Sequence, residues 1–325
     1  MNSIDTIAHL AGVSKTTVSM VINGKAEQNR ISKATQDKIA QIIAEQKFTP
    51  NLYARGLRLQ STKTVALVVP DFLNPFFNEL SDHLMRCARL ADYNLVVATT
   101  EDDPMIEKKV VEDLLSRSVE AIFLSSVLQS AFWDSFKSPI IYIDRKIENG
   151  FSVTTDNELG AYQLTEHFIK DGCRRIAFIG GNPLLSTSSE RLTGYRNAHI
   201  NHSISTNDEL ILQSEFTAAY GYQSAQSLFD GKANPPDAIF SASYVILEGV
   251  LRYFSEKSTA FSKTETPRLG TFDNHPLLDF LRYPVCSVQQ NTQELAETAF
   301  SLFRTILNKT AQVQNSIIKP RLIIR

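Results

Sequence analysis

The sequence predicts an α/β protein with a small all-α head, and three observations carry that reading. From residue 64 onward apolar runs such as Thr64 to Val69 and Ala121 to Ser125 alternate with amphipathic stretches, the pattern of buried parallel strands and their covering helices. The pattern restarts after about residue 153, which divides the body into two doubly wound parallel-sheet subdomains. The first 63 residues lack it and differ in charge: 9 Lys/Arg stand against 4 Asp/Glu, whereas the remainder holds 24 against 31. A basic head on an acidic body points to a polyanion as the head's partner.

The head reads as three helices. Ile4 to Ala11 places Ile4, Ile7, Ala8 and Ala11 on one face and is closed by Gly12. Ser14 then caps a second helix, Lys15 to Ile22, in which Val18, Val21 and Ile22 pack inward. The pair forms a helix-turn-helix. Its second helix is short, polar at its start and free of acidic residues, as insertion into a phosphate-lined major groove requires, and Asn23-Gly24 stops it. A third helix from about Lys33 to Gln46, capped by Ser32, supplies Ala34, Ile39, Ile42 and Ile43. The following Asn51 to Arg58 is too short to be a stable helix alone and needs a partner.

In the first half of the body the expected strands are Thr64 to Val69, Asn94 to Ala98, Ala121 to Ser125 and Ile140 to Ile143, with helices over Phe76 to Ala91 and Ile106 to Ser116. In the second half they are Arg175 to Ile179, Ala238 to Phe240, Arg268 to Phe272 and Val285 to Val288, with helices near 158–170, 189–200, 218–229, 244–256 and 292–307. A last strand is expected at Pro320 to Arg325.

Composition excludes several classes. At 43% apolar and 21% charged residues over 325 positions the chain is an ordinary globular one, long enough for more than one core. No apolar run approaches the ~20 residues that span a bilayer, and the polar start is no signal peptide, so a cytoplasmic protein without membrane contact is expected. Cys87, Cys173 and Cys286 lie far apart, which leaves core filling as their reading rather than a disulfide framework or a metal site. GxxxxGK[ST], HExxH and GxSxG are all missing. The stretch His199-Ile200-Asn201-His202, lacking acidic or cysteine company, reads as an exposed helix end. Neither catalysis nor a cofactor or metal is expected.

The run Ile7-Ala8-His9-Leu10-Ala11-Gly12-Val13-Ser14-Lys15-Thr16-Thr17-Val18-Ser19, followed by Val21-Ile22-Asn23-Gly24 and Phe48-Thr49-Pro50-Asn51, closely resembles the lactose/galactose-repressor family of bacterial transcription regulators. The resemblance extends through the body in family order. It runs over Val69 to Phe77, Asp156-Asn157 with Gly160-Ala161, Gly172 to Gly181, Glu190 to Tyr195 and Gly270 to Asn274. It implies a periplasmic-binding-protein-like body with a sugar bound between two lobes, at the carboxyl ends of the strands. Implied boundaries are a DNA-binding domain at 1–50, a hinge helix and linker at 51–63, and an effector-binding and dimerisation domain at 64–325. Within the last, one subdomain takes about 64–153 and 290–312, the other about 154–289 and 313–325.

By the same resemblance Lys15 and Thr16 read bases, while Ser14, Thr17 and Ser19 meet phosphates, with Asn23 close by. Met20 stands where many members carry Arg and cannot form a bidentate contact to guanine. The loop Gly24 to Ile31 is longer than in the lactose repressor, and its Arg30 can reach a phosphate. Asn51, Ala54, Leu57 and Arg58 belong to the implied hinge helix, with Leu57 as a minor-groove wedge. For the effector the resemblance implies Asp71, Asn74, Phe76, Asp144, Arg191, Phe216, Ser243, Asp273 and Gln290. Arg191 forks onto ring or hydroxyl oxygens, Asp273 accepts from hydroxyls and Phe216 stacks on the ligand. Ala242-Ser243-Tyr244 replaces an Asn-Asp pair common in the family. With the long head loop, Glu248 to Tyr253 and the stretch Gly180 to Tyr195 resemble the sucrose and then the fructose repressors, and the loss of an acid near the ligand removes repulsion of a phosphate. Fructose or fructose 1-phosphate is then the expected effector, bound by a repressor of a sugar-utilisation operon that sits on a pseudo-palindromic operator. A global fructose-type regulator of carbon metabolism and a sugar-binding protein without DNA function are the alternatives. A homodimer is expected; no heptad tail follows that would make a tetramer through a coiled coil.

Overall fold

The computed structural model describes residues 3–48, 61–128, 138–147, 150–257, 267–309 and 315–325. The chain falls into two compact units, Met1–Thr62 and Lys63–Arg325.

The first unit contains α1 (Ile4–Ala11), α2 (Lys15–Ile22) and α3 (Lys33–Glu45). Ser3 caps α1 reciprocally with Thr6, and Gly12, at φ +71°, ends it in a left-handed turn that a side chain would strain. Ser14 and Ser32 cap α2 and α3 by accepting from Thr17 N and Thr35 N. Ile7, Ala8, Ala11, Val18 and Ile39 form the small core, with Val21, Ile22, Ile42, Ile43 and Phe48 packed around it. Two expected core residues lie at its margin: Ala34 and Ile4 are both exposed, each in the first turn of its helix. The long loop after α2 is a structure in itself, with Ala26 buried and Asn29 bonded through both its amides to Lys25 O.

The second unit begins with β1 (Thr64–Val69), α4 (Pro75–Leu90), β2 (Asn94–Thr99), α5 (Pro104–Ser116), β3 (Ile122–Leu124), β4 (Ile140–Ile143) and β5 (Phe151–Thr155). The chain then crosses to a second lobe. There it lays down α6 (Asn157–Lys170), β6 (Ile176–Gly180), α7 (Ser186–Asn201), β7 (Ile211–Gln213), α8 (Ala218–Phe229), β8 (Ala238–Ser241), α9 (Tyr244–Glu256), β9 (Arg268–Phe272) and β10 (Val285–Gln289). It returns to the first lobe for α10 (Thr292–Leu307) and β11 (Asn315–Ile318), then crosses again for β12 (Arg321–Ile323). The sheets have the orders β11-β5-β4-β3-β1-β2 and β12-β10-β9-β8-β6-β7. Every pairing is parallel except that of β12 with β10.

Strand alternation assigns each face its helices. Val65, Leu67, Val69, Phe123, Ile141 and Ile143 pack on α4 and α10, while Ala66, Val68, Ile122 and Leu124 pack on α5. In the second lobe one face meets α8 and α9 and the other α6 and α7. The helices α8 and α9 touch at the backbone: a Cβ on Gly249 would lie 1.9 Å from Ala218 O. Since carbonyl oxygens cannot yield as a flexible side chain can, Gly249→Ala is expected to destabilise the protein by about 1–3 kcal/mol or more, read as a lower urea midpoint at unchanged m-value.

Several expectations are corrected. Residues 315–318 pair with β5 in the first sheet, so the final crossover falls at 319–320 rather than at 312–313. The sequence reading missed β5, β7 and β11, which are short or rich in Ser, Thr and Asn and so give no apolar run. His199 is buried, its Nδ1 2.9 Å from Tyr195 O, because it falls on the inward face of α7 one turn after Tyr195. His202 reaches Glu166 at 3.1 Å. Cys173 and Cys286 are buried, but Cys87 is only half-buried. Among the described residues no helix is long and apolar enough to cross a membrane, and no group of three or more His, Cys, Asp or Glu could hold a metal ion.

Candidate functional site

The two sheets present the carboxyl ends of their strands to one cleft, with about 450 Å³ of space between atoms including its mouth. Segments that follow β1, β2 and β4 in one lobe and β6 to β10 in the other contribute. From the first lobe come Asp71, Asn74 and Phe76 after β1, Asp102 after β2, and Asp144 and Arg145 after β4; from the second come Thr187 and Arg191 on α7, Phe216 after β7, Ser243 after β8, Asp273 after β9 and Gln290 after β10. All nine residues expected around an effector therefore line one cavity.

Their hydrogen bonds show which atoms are already committed. Asp71 Oδ1 accepts from Leu73 N at 2.6 Å and shapes the loop, while Asn74 Oδ1 caps α4 by accepting from Phe76 N at 3.0 Å. That cap fixes the orientation of the Asn74 amide, and its Nδ2 donates across the cleft to Asp273 Oδ2 at 2.8 Å. Asp273 Oδ1 accepts from Gln290 Nε2 at 2.6 Å, and Thr155 Oγ1 donates to Gln290 Oε1. Asp273 and Asp144 both occupy left-handed backbone, at φ +72° and +69°, a region Asp tolerates better than most residues. Ser243 caps α9, its Oγ accepting from Ile246 N.

Arg191 is buried, with its guanidinium 3.8 Å from the Phe272 ring centroid, Nε donating to Asn157 and Nη1 to Ala242 O. Asn157 is held in turn by Glu190. Burial pulls the Arg191 pKa below its ordinary value, against the attraction of Asp273 and Asp144. Phe216 lies against Gly181, where a Cβ would be 2.4 Å from the ring, so the absence of a side chain there seats the aromatic at the cavity wall.

Sequence reasoning missed Asp102, Arg145 and Thr187. Arg145 is buried and forms a bidentate pair with Asp102 at 2.6 and 3.1 Å. Nearby, the buried Glu107 accepts from Ser126 Oγ and Val127 N, and burial raises its pKa. The adjacency of Arg145 to Asp144 was the available signal. Asp102, within Glu101-Asp102-Asp103-Pro104, reads from sequence only as part of a helix start.

Burial raises the Asp144 carboxyl to about 6, with Arg145 and Arg191 opposing and Asp273 reinforcing the shift. The folded state thus holds this proton more tightly than the unfolded chain does, a stabilisation complete below about pH 4 and lost as pH rises through about 6. Relative to Asp144→Asn, which cannot titrate, the parent should lose stability between about pH 4 and 7. Urea unfolding across that range checks this, and parallel profiles would show that Asp144 does not titrate there.

In the head, Lys15 and Thr16 are exposed at the start of α2, and Lys15 pairs with Asp5 of α1. Ser14 and Thr17 join their hydroxyls at 2.9 Å. Met20 and Asn23 are half-buried and Arg30 is exposed. Ser19 departs from its expected place on the phosphate-facing surface: it is buried, and its Oγ accepts from Asn23 Nδ2 at 3.3 Å, because it lies one turn before the cap residue of α2. Asn51, Ala54, Leu57 and Arg58 lie outside the described residues.

Comparison with known proteins adds the following. Residues 3–51 match the bacterial regulatory proteins of the lacI family, and residues 165–325 match the periplasmic binding protein-like domain. The chain is 33% identical to the fructose operon regulatory protein of Vibrio cholerae, with 99% of each chain aligned. It is 31% identical to the sucrose operon repressor of Klebsiella pneumoniae over 95% of this chain and 93% of that one. A solved structure of the Cra transcriptional dual regulator from Pseudomonas putida, in complex with fructose 1-phosphate, superposes with a TM-score of 0.74 at 28% identity, covering 81% of this chain and 98% of that one.

Proposed function

The chain belongs to the lacI family of bacterial regulatory proteins, and from that premise we propose that it is a cytoplasmic repressor of a sucrose- or fructose-utilisation operon, released from its operator by fructose or fructose 1-phosphate. The convergence of Asp273, Arg191 and seven further expected side chains on one interlobe cleft carries this reading. Carboxylates facing a stacked guanidinium and an aromatic wall suit a polyol ring, which offers hydroxyl donors, hydroxyl acceptors and an apolar face. The names of the fructose and sucrose relatives support the choice of sugar.

Two heads of a homodimer read two half-sites, with Lys15 and Thr16 at base edges and Ser14, Thr17 and Arg30 near phosphates. A sugar-binding protein without DNA function would leave the basic helix-turn-helix unexplained. Operator gel shifts with and without fructose and fructose 1-phosphate test the proposal: release by neither sugar removes the effector assignment, and failure to shift any operator removes the regulator.

The hinge segment carries its own expectation. Leu57→Ala should keep the fold and effector affinity but lower specific operator affinity about tenfold and reduce bending, as loss of an unstacking wedge would. Mobility of permuted fragments measures the bend, and an unchanged bend would make Leu57 part of a plain linker.

A further inference from the structure

Outside the cleft, one side chain is tied to it more firmly than its position suggests. Arg325, which does not line the cavity, extends its guanidinium beneath the turn after β9 and makes four hydrogen bonds. Nε donates to Asp279 Oδ1 at 2.6 Å, Nη1 to Ser287 Oγ at 2.8 Å and Val285 O at 3.1 Å, and Nη2 to Asn274 Oδ1 at 2.8 Å. Ser287 Oγ donates to the same Asn274 oxygen at 2.8 Å. Asn274 is thus clamped from two sides, and it is the residue that follows Asp273.

The clamp bears on the backbone beneath Asp273, whose carboxylate is engaged above it by Asn74 Nδ2 and Gln290 Nε2. The Asp273 φ of +72° lies in the left-handed region, which a residue with a Cβ occupies less readily than glycine even though Asp tolerates it better than most. Only one backbone bond, Asp273 N to Val288 O at 3.0 Å, ties it to β10 directly. A planar fork with fixed donor directions suits this task in a way a lysine ammonium does not.

We propose that Arg325 is a positioning residue of the effector site, holding the Asp273–Asn274 turn so that the Asp273 carboxylate faces the cleft. The proposal rests on the reading that this cleft binds the effector. Arg325 touches no ligand; it sets the orientation of the residue that does.

The test uses the full chain with Arg325→Ala, Arg325→Lys and Asp279→Ala, the last removing one partner while three bonds remain. The ligand-free signal is the Asp273 side-chain carboxyl carbon resonance, assigned by its loss in Asp273→Asn. Calorimetry with D-fructose and with fructose 1-phosphate gives affinity, and gel shifts give operator binding. Arg325→Ala is expected to move the Asp273 signal and weaken sugar binding at least about tenfold, with operator affinity unchanged; Arg325→Lys should do so partially and Asp279→Ala less than about threefold. An unmoved Asp273 signal in Arg325→Ala overturns the proposal, as does an equal loss of sugar and operator binding in Asp279→Ala, which would mark a merely structural brace. Should Arg325→Ala fail to fold, Arg325→Lys carries the same comparison. If the parent binds neither sugar, the effector reading fails and the Asp273 signal alone decides the positioning role.

Discussion

Asp273→Asn is expected to fold and bind operator yet stay bound at sugar concentrations that release the parent, with effector affinity lowered by at least about 100-fold. The substitution isolates the charge. Asn tolerates the left-handed conformation at φ +72° nearly as well as Asp, so the turn keeps its shape, whereas Ala would add backbone strain to the lost contact. The carboxylate accepts from Asn74 Nδ2 and Gln290 Nε2 in the cleft, one from each side. A sugar hydroxyl bonded to a carboxylate contributes about 1.5–3 kcal/mol, and two such bonds correspond to 100-fold or more. A ligand shifts the balance between two arrangements only by its differential affinity for them, so loss of sugar binding is also loss of the switch. Arg191→Gln should behave alike, since its guanidinium is stacked on Phe272 and oriented by Asn157 and Ala242. Titration calorimetry on both variants measures the effect, and parental sugar affinity in both would place the effector elsewhere.

Operator affinity should fall by roughly 10³–10⁵ between 50 and 200 mM salt, the range that follows if about 6–10 phosphates are contacted. The body carries more Asp and Glu than Lys and Arg, so the slope is expected to report chiefly on the head with its excess of Lys and Arg. The pairing of Lys15 with Asp5 sets one qualification in residue terms: Lys15 must leave Asp5 or share it to meet a base, an exchange between exposed partners that costs at most about 1 kcal/mol. Lys15→Ala is then expected to alter base preference more than salt slope. A flat salt dependence would remove phosphate-driven operator binding altogether.

Much of this was legible in the residues because the architecture writes its site at fixed places. Strands buried on both faces give apolar runs, a ligand sits at their carboxyl ends, and the polar residue after each run is therefore a candidate; Asp144 and Asp273 both stand directly after such runs. Arg145 and Asp102 escaped because their significance is pairwise: neither is unusual until the fold brings residues 43 positions apart within hydrogen-bond distance. Ser19 escaped for the opposite reason, since helical periodicity on a helix of eight residues cannot tell a half-turn at the margin of the interface from one on its open side. β11 was invisible beside β12 because the break between them is a crossover that leaves no mark in a stretch of like composition.

That crossover also constrains how the molecule can be made. The chain passes between lobes near residues 156, 291 and 319, and the bonds Thr155–Gln290 and Asp156 N to Ile318 O (2.8 Å) hold these passages together. The first lobe is begun at residue 64 but lacks α10, whose Phe300 and Phe303 fill its core, and its edge strand β11 until almost the whole chain has left the ribosome. During synthesis, at about 5–20 residues per second, β1 to β5 wait for some ten seconds or longer with one sheet face covered by α4 alone while the second lobe is being built. The second lobe, by contrast, can close nearly all of its sheet in one continuous run. Vectorial synthesis therefore favours the second lobe closing ahead of the first, whose sheet keeps the α10 side of one face open until the last part of the chain is made.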